Sequence, residues 1–302
     1  MASNWSDREF GYSHEIFPDT LEQQKAVGGW AREYNQLGSG SFRGAVDSLR
    51  LGNILIRREH FNLSVEQRTA APPDHLSFAW LDDDWRVDGA ALDPPTFAVW
   101  AGPQEHLSVN GNHACGSLVL SVPSRELGID IGEPWIAILR RDAAGVMETA
   151  AWLRSILALA ADGAPGEAPE ILPDLIRRRL LAIVAHVFRV RAWRPPPAPP
   201  RVYRDACEYV ADNPGEPIGM RELADAVGAS REALHRAFAD TVGLTPSAWL
   251  RVRRLNGAHR DLRAARPSRM TVSEAAMKWG FWHLGRFSAY YRGHFGHLPS
   301  AE

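Results

Sequence analysis

Arg221-Glu-Leu-Ala-Asp-Ala-Val-Gly228 and Ser273-Glu-Ala-Ala-Met-Lys-Trp-Gly280 are two copies of one local pattern in a chain of 302 residues. In each copy a short helix-forming run ends at a glycine and is followed by a tight turn. A second amphipathic run comes next, at residues 231–238 in the first copy and 284–291 in the second. Glycine suits the turn, because a helix that stops sharply needs a residue with positive φ after its last turn. The repeat predicts two helix-turn-helix units.

Capping residues support the same helices. Ser230 can cap the second helix of the first unit through its hydroxyl. Thr271 with Glu274 forms the pattern of a capping box before the second unit. Thr245 and Pro246 suit the start of another helix, which runs to about residue 265 with an apolar face at helical spacing. A long helix is therefore predicted to join the two units and to fix their separation.

The stretch resembles the DNA-binding domain of the AraC/XylS family of bacterial transcription regulators, over roughly residues 200–300. The matching segments are Leu223-Ala224, Val227-Gly228-Ala-Ser230, Leu234-His-Arg-Ala-Phe238, Gly243-Leu-Thr-Pro246, Gly280-Phe281, Phe287-Ser288, Phe295-Gly296 and Pro299-Ser300. The resemblance implies a sequence-specific regulator, an activator of a catabolic operon, with double-stranded DNA and RNA polymerase as partners. One alternative is a helical domain that only mediates protein contacts.

In the first unit, Glu232, His235 and Arg236 match the positions that face bases in the family. Arginine can donate two hydrogen bonds to guanine O6 and N7, and glutamate can accept one from cytosine N4. Ser230 and Arg231, at the start of the same helix, suit contacts to phosphates.

The second unit departs from the family pattern, because Ala289 stands where an arginine often follows the Phe-Ser pair. Arg286 is its strongest expected donor, and Arg292 and His294 are expected to contact the DNA backbone. The residues predicted to face DNA in this unit are His283, Gly285, Arg286, Ser288, Ala289 and Arg292. The departure leaves base recognition by this unit open.

Charge is divided unevenly along the chain. The net charge is −2, but residues 201–302 hold 15 Lys+Arg against 11 Asp+Glu, and residues 1–200 hold 19 against 25. A positive C-terminal part beside an acidic remainder suits a nucleic-acid-binding domain attached to a sensor.

Residues 1–133 are expected to form that sensor, and the whole chain to be of the α+β class. Short runs such as 46–51, 54–57, 61–65, 75–80, 97–100 and 117–122 are typical of the strands of a β-barrel or jelly roll. The family resemblance implies a cupin-like domain here. Such a barrel can hold a small organic ligand. The candidate ligand-binding residues are Arg57, Phe78, Trp80, Phe97, Trp100 and His106.

Three segments in this part, including Arg57-Arg-Glu-His-Phe-Asn62, also resemble regulators of ethanolamine and related amine catabolism. That resemblance implies an amine or a related metabolite as effector.

Residues 134–193 are expected to be helical, with a broad apolar face between positions 175 and 188. This face covers the barrel or pairs with a second subunit in a homodimer, and the sequence does not choose between them. Residues 194–201 are a proline-rich linker, since such dense proline favours an extended spacer. Residues 202–302 then form the DNA-binding domain.

An enzyme is not expected. The histidines lack the spacing of a metal-dependent cupin, no nucleophile stands beside a base, and no metal or other cofactor is predicted. The glycine-rich loop at residues 37–44 lacks the Gly-Lys-Ser/Thr ending of a phosphate loop. Cys115 and Cys207 are interpreted as buried thiols and are too few for the zinc and methyl-transfer sites of related DNA-repair proteins. With no membrane-spanning run and no signal peptide, we expect a cytoplasmic protein.

Two functions remain compatible with the sequence. The first is a ligand-responsive transcription regulator. The second is an architectural DNA-binding protein whose N-terminal domain only oligomerises. A small molecule that alters binding to one promoter site would distinguish them.

Overall fold

The computed structural model describes residues 10–27, 31–103, 105–111, 113–139, 145–163, 168–190, 193–194, 200–213, 215–264 and 270–301. Within these residues, strands dominate the N-terminal part of the chain and helices make up the C-terminal part. The expected α+β class is therefore confirmed. Residues 195–199 of the predicted proline-rich linker lie outside the described residues.

The strands form two antiparallel sheets. The large sheet has the order β1 (Phe10–Phe17), β3 (Gly44–Leu51), β4 (Ile54–Phe61), β11 (Cys115–Pro123), β6 (His75–Leu81), β9 (Thr96–Ala101), β12 (Trp135–Leu139), β13 (Trp193–Arg194). The small sheet has the order β2 (Ala31–Gln36), β5 (Val65–Ala70), β10 (Glu105–Asn110), β7 (Trp85–Val87), β8 (Ala90–Ala91).

The predicted β-barrel is not closed. Hydrogen bonding among the described residues leaves β1 and β13 as the edges of the large sheet, and β2 and β8 as the edges of the small one. Apolar side chains from both sheets, including Tyr34, Trp85 and Trp100, share one buried cluster between them. The arrangement is therefore an open two-sheet sandwich.

Most of the predicted strands lie within observed ones, but the run 61–65 spans a turn. Phe61 ends β4 and Val65 begins β5. Asn110 holds the intervening backbone, since its amide donates to Leu63 O at 2.9 Å and its Oδ1 accepts from Val65 N at 2.8 Å. A distant side chain therefore breaks an apolar run that sequence alone joins into one strand.

Side chains of the large sheet alternate between two buried faces. On β6, Leu76, Phe78 and Trp80 pack in one cluster, whereas Ala79 and Leu81 pack in the cluster that faces the small sheet. This period-two pattern is the usual consequence of strand geometry. The large sheet is consequently covered on both sides.

Helices α2 (Val146–Ala161) and α3 (Ala168–Arg189) cover the outer face of the large sheet. The apolar face predicted on α3 lies there, with Ile176, Leu180 and Val187 almost fully buried. Residues 134–193 are not entirely helical as predicted, because Trp135–Leu139 pairs with β9 as strand β12. Both helices therefore pack as part of the sandwich.

Shorter helices complete the fold. Helix α1 (Thr20–Ala26) follows β1, and Asp19 caps it by accepting from Glu22 N at 2.8 Å. The C-terminal helices are α4 (Arg201–Asp212), α5 (Met220–Ala226), α6 (Arg231–Val242), α7 (Pro246–Ala264), α8 (Val272–Lys278) and α9 (Leu284–Phe295). In the described part of the chain, no helix combines the length and apolarity that a membrane span requires.

Candidate functional site

Helices α5 and α6 form the first predicted helix pair. Gly228, with φ +62°, lies between them, and Ser230 caps α6 by accepting from Ala233 N at 3.1 Å. Leu223 and Phe238 are fully buried between the two helices and their neighbours. The glycine, the cap and the core of this pair are therefore as predicted.

Helices α8 and α9 form the second pair on the same plan. Gly280 has φ +75°, and Thr271 exchanges hydrogen bonds with Glu274 in a capping box. Phe287 and Tyr291 are fully buried. The exposed faces of the two second helices, α6 and α9, then carry the predicted DNA contacts.

Helix α7 joins the two pairs at close range. A Cβ added at Gly257 would lie 2.4 Å from the Trp279 ring, so α7 approaches the second pair through a residue without a side chain. Asp261 also accepts from Trp279 Nε1 at 2.6 Å and pairs with Lys278 at 2.9 Å. At its other end, Trp249 packs against Phe238 of the first pair, with ring centroids 5.1 Å apart.

The predicted DNA-facing residues are almost all exposed. The described N-terminal part of the chain does not cover them, and among these residues Ser288 alone is half-buried. The exposed members are Ser230, Arg231, Glu232, His235, Arg236, His283, Gly285, Arg286, Ala289 and Arg292.

Glu232 has local partners that bear on its predicted base contact. Its pKa is lowered, first by a hydrogen bond from its own backbone N–H and then by one from the Ser230 side chain. An ionised carboxylate is thus favoured in the first turn of α6, where Ser230 is the capping residue.

His294 is not available to the DNA backbone, contrary to the sequence-based expectation. It is 2% exposed, and its Nε2 lies 3.1 Å from Gln36 O of β2. Burial lowers its pKa to about 4, although the hydrogen bond to Gln36 acts in the opposite direction. A neutral His294 therefore donates to strand β2 of the N-terminal part of the chain.

Gln36, at the end of β2, also forms hydrogen bonds with helix α7. Asn256 Nδ2 donates to Gln36 O, and Asn256 Oδ1 accepts from Gln36 N, both at 2.9 Å. The Gln36 side chain donates to His294 O at 2.8 Å, and Gly40 N donates to the same oxygen at 2.9 Å. Buried polar groups from both parts of the chain therefore satisfy one another.

A second contact joins β5 to the helical part. Tyr203 donates to the buried Glu66 carboxylate at 2.5 Å, and Arg253 pairs with Glu33 of β2 at 2.9 Å. Leu107 and Val109 of β10 share a buried cluster with the first helix pair. The small sheet is thus the surface against which the C-terminal helices pack.

Sequence reasoning did not identify these contacts. The available signal was polar residues recurring every three or four positions on α7, at Arg253, Asn256, Arg260 and Arg263. This spacing predicts a polar helix face. It does not show that acidic strands, rather than solvent, lie opposite.

Two sets of arginines in the helical part differ in their surroundings. Arg253, Arg260 and Arg263 pair with acidic residues of the N-terminal part, which are Glu33 for the first two and Asp19 and Glu22 for the third. A second set consists of Arg231, Arg236, Arg286 and Arg292. These four are exposed, and none forms an ion pair with a described residue.

The candidate ligand residues are not all together. Trp100 and His106 line a cavity between the two sheets, where their rings stack with centroids 5.2 Å apart. Phe78, Trp80 and Phe97 lie on the opposite face of the large sheet, against α2 and α3, and are core residues rather than cavity walls. The alternation of strand side chains explains this correction.

Arg57 also lies away from that cavity. It is buried and lines a separate cleft with residues of β1 and β3, among them Gly11 and Ser48. The structure therefore places two of the six candidate ligand residues at the space between the sheets.

Both cysteines are buried, as interpreted from the sequence, and burial raises the pKa of each thiol to about 12. Among the described residues, no group of three or more His, Cys, Asp and Glu side chains could hold a metal ion.

Comparison with known proteins finds matches to the C-terminal part of the chain. A helix-turn-helix domain model matches residues 223–301. The chain is 34% identical over 131 residues to the probable thc operon regulatory protein of Rhodococcus erythropolis, covering 43% of this chain and 40% of that protein. It is 33% identical over 93 residues to the XylDLEGF operon transcriptional activator 3 of Pseudomonas putida, covering 31% and 28%.

One solved structure is also similar to part of the chain. A transcriptional regulator from Chromobacterium violaceum with an AraC-type DNA-binding domain is 30% identical, with a TM-score of 0.31, and covers 33% of this chain and 87% of that one. The matches span about two fifths or less of the curated relatives named above. The family and these relatives are transcription regulators, not enzymes. Residues 223–301 therefore match a helix-turn-helix domain of the AraC type, and the chain is similar over part of its length to proteins named as operon regulators and activators.

Proposed function

We propose that this protein is a ligand-responsive, sequence-specific DNA-binding transcription regulator that activates a catabolic operon. The observation that carries the proposal is the division of the arginines. One set is neutralised against the sensor part, while Arg231, Arg236, Arg286 and Arg292 remain exposed on or beside the second helices of the two pairs. Unpaired cations on exposed helices suit the phosphates and base edges of double-stranded DNA.

Each helix pair acts as one helix-turn-helix unit in this proposal. Helix α6 enters one major groove, where Arg236 donates to guanine and His235 contacts a neighbouring base. Helix α9 enters the next major groove on the same side of the duplex, roughly 34 Å away. Arg286 supplies its main donor, and Arg231 and Arg292 bind phosphates.

The two-sheet part acts as a cupin-like sensor. Strand β5 turns Gln67 and Thr69 toward the cavity and Glu66 toward Tyr203 of the helical part. Strand β10 alternates in the same way, with His106 facing the cavity and Leu107 packed under the first helix pair. A ligand that shifts either strand would therefore alter the support of the DNA-binding helices.

A second copy of the chain is the proposed partner of α3. Leu175 and Phe188 are 43% and 45% exposed on this helix, beside its buried face. As an activator, the protein would also contact RNA polymerase, and binding to genomic DNA would place it in the cytoplasm. In this organisation residues 1–133 sense, 134–193 support and dimerise, 194–201 connect, and 202–302 bind DNA.

The proposal is tested by footprinting the full chain on DNA from upstream of its own and neighbouring genes. A regulator protects one discrete site, and a small metabolite of the neighbouring operon changes that protection. An architectural protein instead covers DNA without a preferred site, at an affinity that falls steeply with salt, and ignores metabolites. This second outcome would overturn the proposal.

A further inference from the structure

The two helix pairs can be compared position by position, and they differ most on their exposed sides. The buried residues of α6 and α9 correspond at an offset of 53 positions, as Phe238 and Tyr291 illustrate. At this offset, three charged and exposed residues of α6 correspond to residues of α9 that carry no charge. The corresponding positions are Arg231 and Leu284, Glu232 and Gly285, and Arg236 and Ala289.

Two large apolar side chains lie in solvent at the start of α9. Trp282 is 64% exposed and is the most exposed large apolar side chain in the described part of the chain. Leu284, the first residue of α9, is 41% exposed, and His283 between them is the N-cap. The neighbouring Phe281 turns inward, with its ring centroid 5.1 Å from that of Phe287. The core of this pair therefore uses Phe281 and leaves Trp282 outside.

Cations accompany Trp282 and Leu284, which we together call the apolar edge. Arg286 follows the edge by two positions and Arg292 lies further along α9. Both arginines are exposed, and neither forms an ion pair with a described residue. A DNA duplex offers a matching arrangement, because phosphates border the base edges of each groove. A stable protein–protein interface buries about 1,200–2,000 Å², which two side chains do not provide. Charge and size therefore favour DNA over protein as the partner of this edge.

The base that suits an apolar side chain is thymine. In the major groove, guanine, adenine and cytosine present hydrogen-bonding groups, whereas thymine also presents its C5-methyl group. The N-terminal residues of a recognition helix are the ones that contact base edges in helix-turn-helix proteins. Burying one methyl group against an apolar side chain should strengthen binding about threefold to fivefold. Leu284, as the first residue of α9, is placed for such a contact.

We propose that the apolar edge contacts thymine methyl groups, so that the second helix pair selects thymine by hydrophobic contact rather than by hydrogen bonds. Leu284 makes the principal contact, and Trp282 extends the apolar surface toward the turn before α9. Gly285 and Ala289 add little to this contact, because they carry little or no apolar side chain. The inference rests on the proposed function, since it specifies which base the second helix pair prefers.

Replacing thymine by uracil tests the contact, because it removes the methyl group and keeps every hydrogen-bonding group of the base. The full chain selects duplexes from two random libraries, one made with thymine and one with uracil throughout. The thymine library should yield two sequence blocks, and Arg236→Ala identifies the block read by α6. The other block should be rich in thymine and should lose its preference in the uracil library. A duplex with uracil in that block alone should bind about threefold to fivefold more weakly for each methyl group contacted.

The variants are Leu284→Ala and Trp282→Ala, with Leu298→Ala as the matched control. The measured quantity is the ratio of the affinities for the thymine and uracil duplexes. Leu284→Ala should bring this ratio close to one, and Trp282→Ala should lower it by a smaller factor. Leu298 is 46% exposed and follows α9, so its variant should keep the ratio of the parent. Because each ratio compares two duplexes on one protein, a lower folded fraction does not change it.

Equal affinities of the parent chain for the thymine and uracil duplexes would overturn the proposal, and so would an unchanged ratio in both edge variants. An unchanged ratio with an altered association state of Leu284→Ala would show that the edge binds a second copy of the chain instead. Recovery of no motif from the thymine library would overturn the proposed function together with this inference. A motif whose second block contains no preferred thymine would overturn this inference alone.

Discussion

The two helix pairs, α5 with α6 and α8 with α9, share a fold but differ in what they present outside and in how they are held. Leu234 and Phe238 of the first pair are as buried as Phe287 and Tyr291 of the second. The exposed face of α6 carries His235 and Arg236, whereas the exposed residues of α9 include Gly285 and Ala289, which have no side-chain donor. The buried residues are therefore enough to repeat the fold, while the exposed ones determine what each pair can recognise.

Attachment to the small sheet differs as well. The first pair shares an apolar cluster with Leu107 and Val109, to which Tyr203 adds a hydrogen bond with Glu66. The second pair is held through buried polar groups at Gln36, joined by His294. Apolar contacts tolerate small shifts, whereas buried hydrogen bonds demand fixed geometry. The second attachment should therefore be the more sensitive to substitution and pH.

The largest effect is expected from Asn256→Leu. Leucine removes the acceptor for Gln36 N, which is then left buried and unsatisfied, at a cost of about 3 kcal/mol. Urea unfolding of the full chain measures this loss. Asn53→Ala is the control, because Asn53 is exposed and its hydrogen bond to Glu126 should contribute less than about 0.5 kcal/mol. Equal stability of both variants would contradict the polar attachment.

The next effect is expected from Arg236→Ala on DNA binding. Loss of a bidentate contact to guanine should cost about 2 kcal/mol at the preferred site and relax the preference at one or two positions. The measurement is binding to a panel of duplexes with single-base changes. Arg292→Ala is the control, since loss of a phosphate contact should weaken binding to all duplexes alike. If Arg236→Ala had the same base preference as the parent, α6 would not be the main base-contacting helix.

A smaller effect is expected from pH. The pKa of His294 is about 4 in the folded chain, below its ordinary value of 6.5. The unfolded chain therefore takes up a proton first, so stability is complete above pH 6.5 and falls as pH drops toward 4. Between pH 7 and 5 the loss should be about 1–2 kcal/mol. His294→Gln keeps a donor for Gln36 O but does not titrate, and should lose this dependence.

Asp88 also changes the unfolding free energy in this pH range. The contribution of His294 is therefore measured as the difference in unfolding free energy between two variants. Burial raises the pKa of Asp88 from 3.8 to about 7, despite a hydrogen bond from Leu107 N. This carboxyl therefore destabilises the fold as pH rises from 3.8 to 7, which is opposite in sign to His294. The unfolding free energy of His294→Gln is compared with that of the parent at each pH, so the Asp88 contribution cancels. A parallel pair of curves would contradict the assignment to His294.

The smallest effect is expected from Ala289→Gly. Neither residue can donate to a base edge, so base preference should change by less than about 0.5 kcal/mol at any position. Helix α9 itself should lose up to about 1 kcal/mol of stability, because glycine disfavours the helical backbone. The same duplex panel and urea unfolding separate the two quantities. A rewritten preference profile would show that the second pair reads bases directly.

The local pattern of the helical part could be predicted because its signals are local. Gly228, Gly280, Ser230 and Thr271 each act within a few residues along the chain. The strands were predicted less well for the opposite reason. The edge strand β1 lacks a clear apolar pattern, and the turn at residues 62–64 depends on Asn110, which is distant in sequence.

The candidate site could be predicted only where exposure follows from helix period. Arg236 opposite Phe238 is such a case, and it is exposed as expected. The prediction that His294 contacts the DNA backbone was wrong because this side chain is buried against Gln36, which lies 258 positions earlier in the chain. Trp80 was expected to line the ligand cavity, but it packs on the other face of the large sheet. Both faces of this sheet are apolar, so hydrophobicity does not show which face borders the cavity.

Selection of DNA from a random duplex library by the full chain tests the central claim most directly. The account predicts one enriched motif with two blocks about one helical turn apart, the block read by α6 being the stronger. Repeating the selection with Arg236→Ala should weaken that block and leave the other unchanged. Enrichment of no motif, with binding that depends only on duplex length and salt, would contradict sequence-specific recognition by this protein.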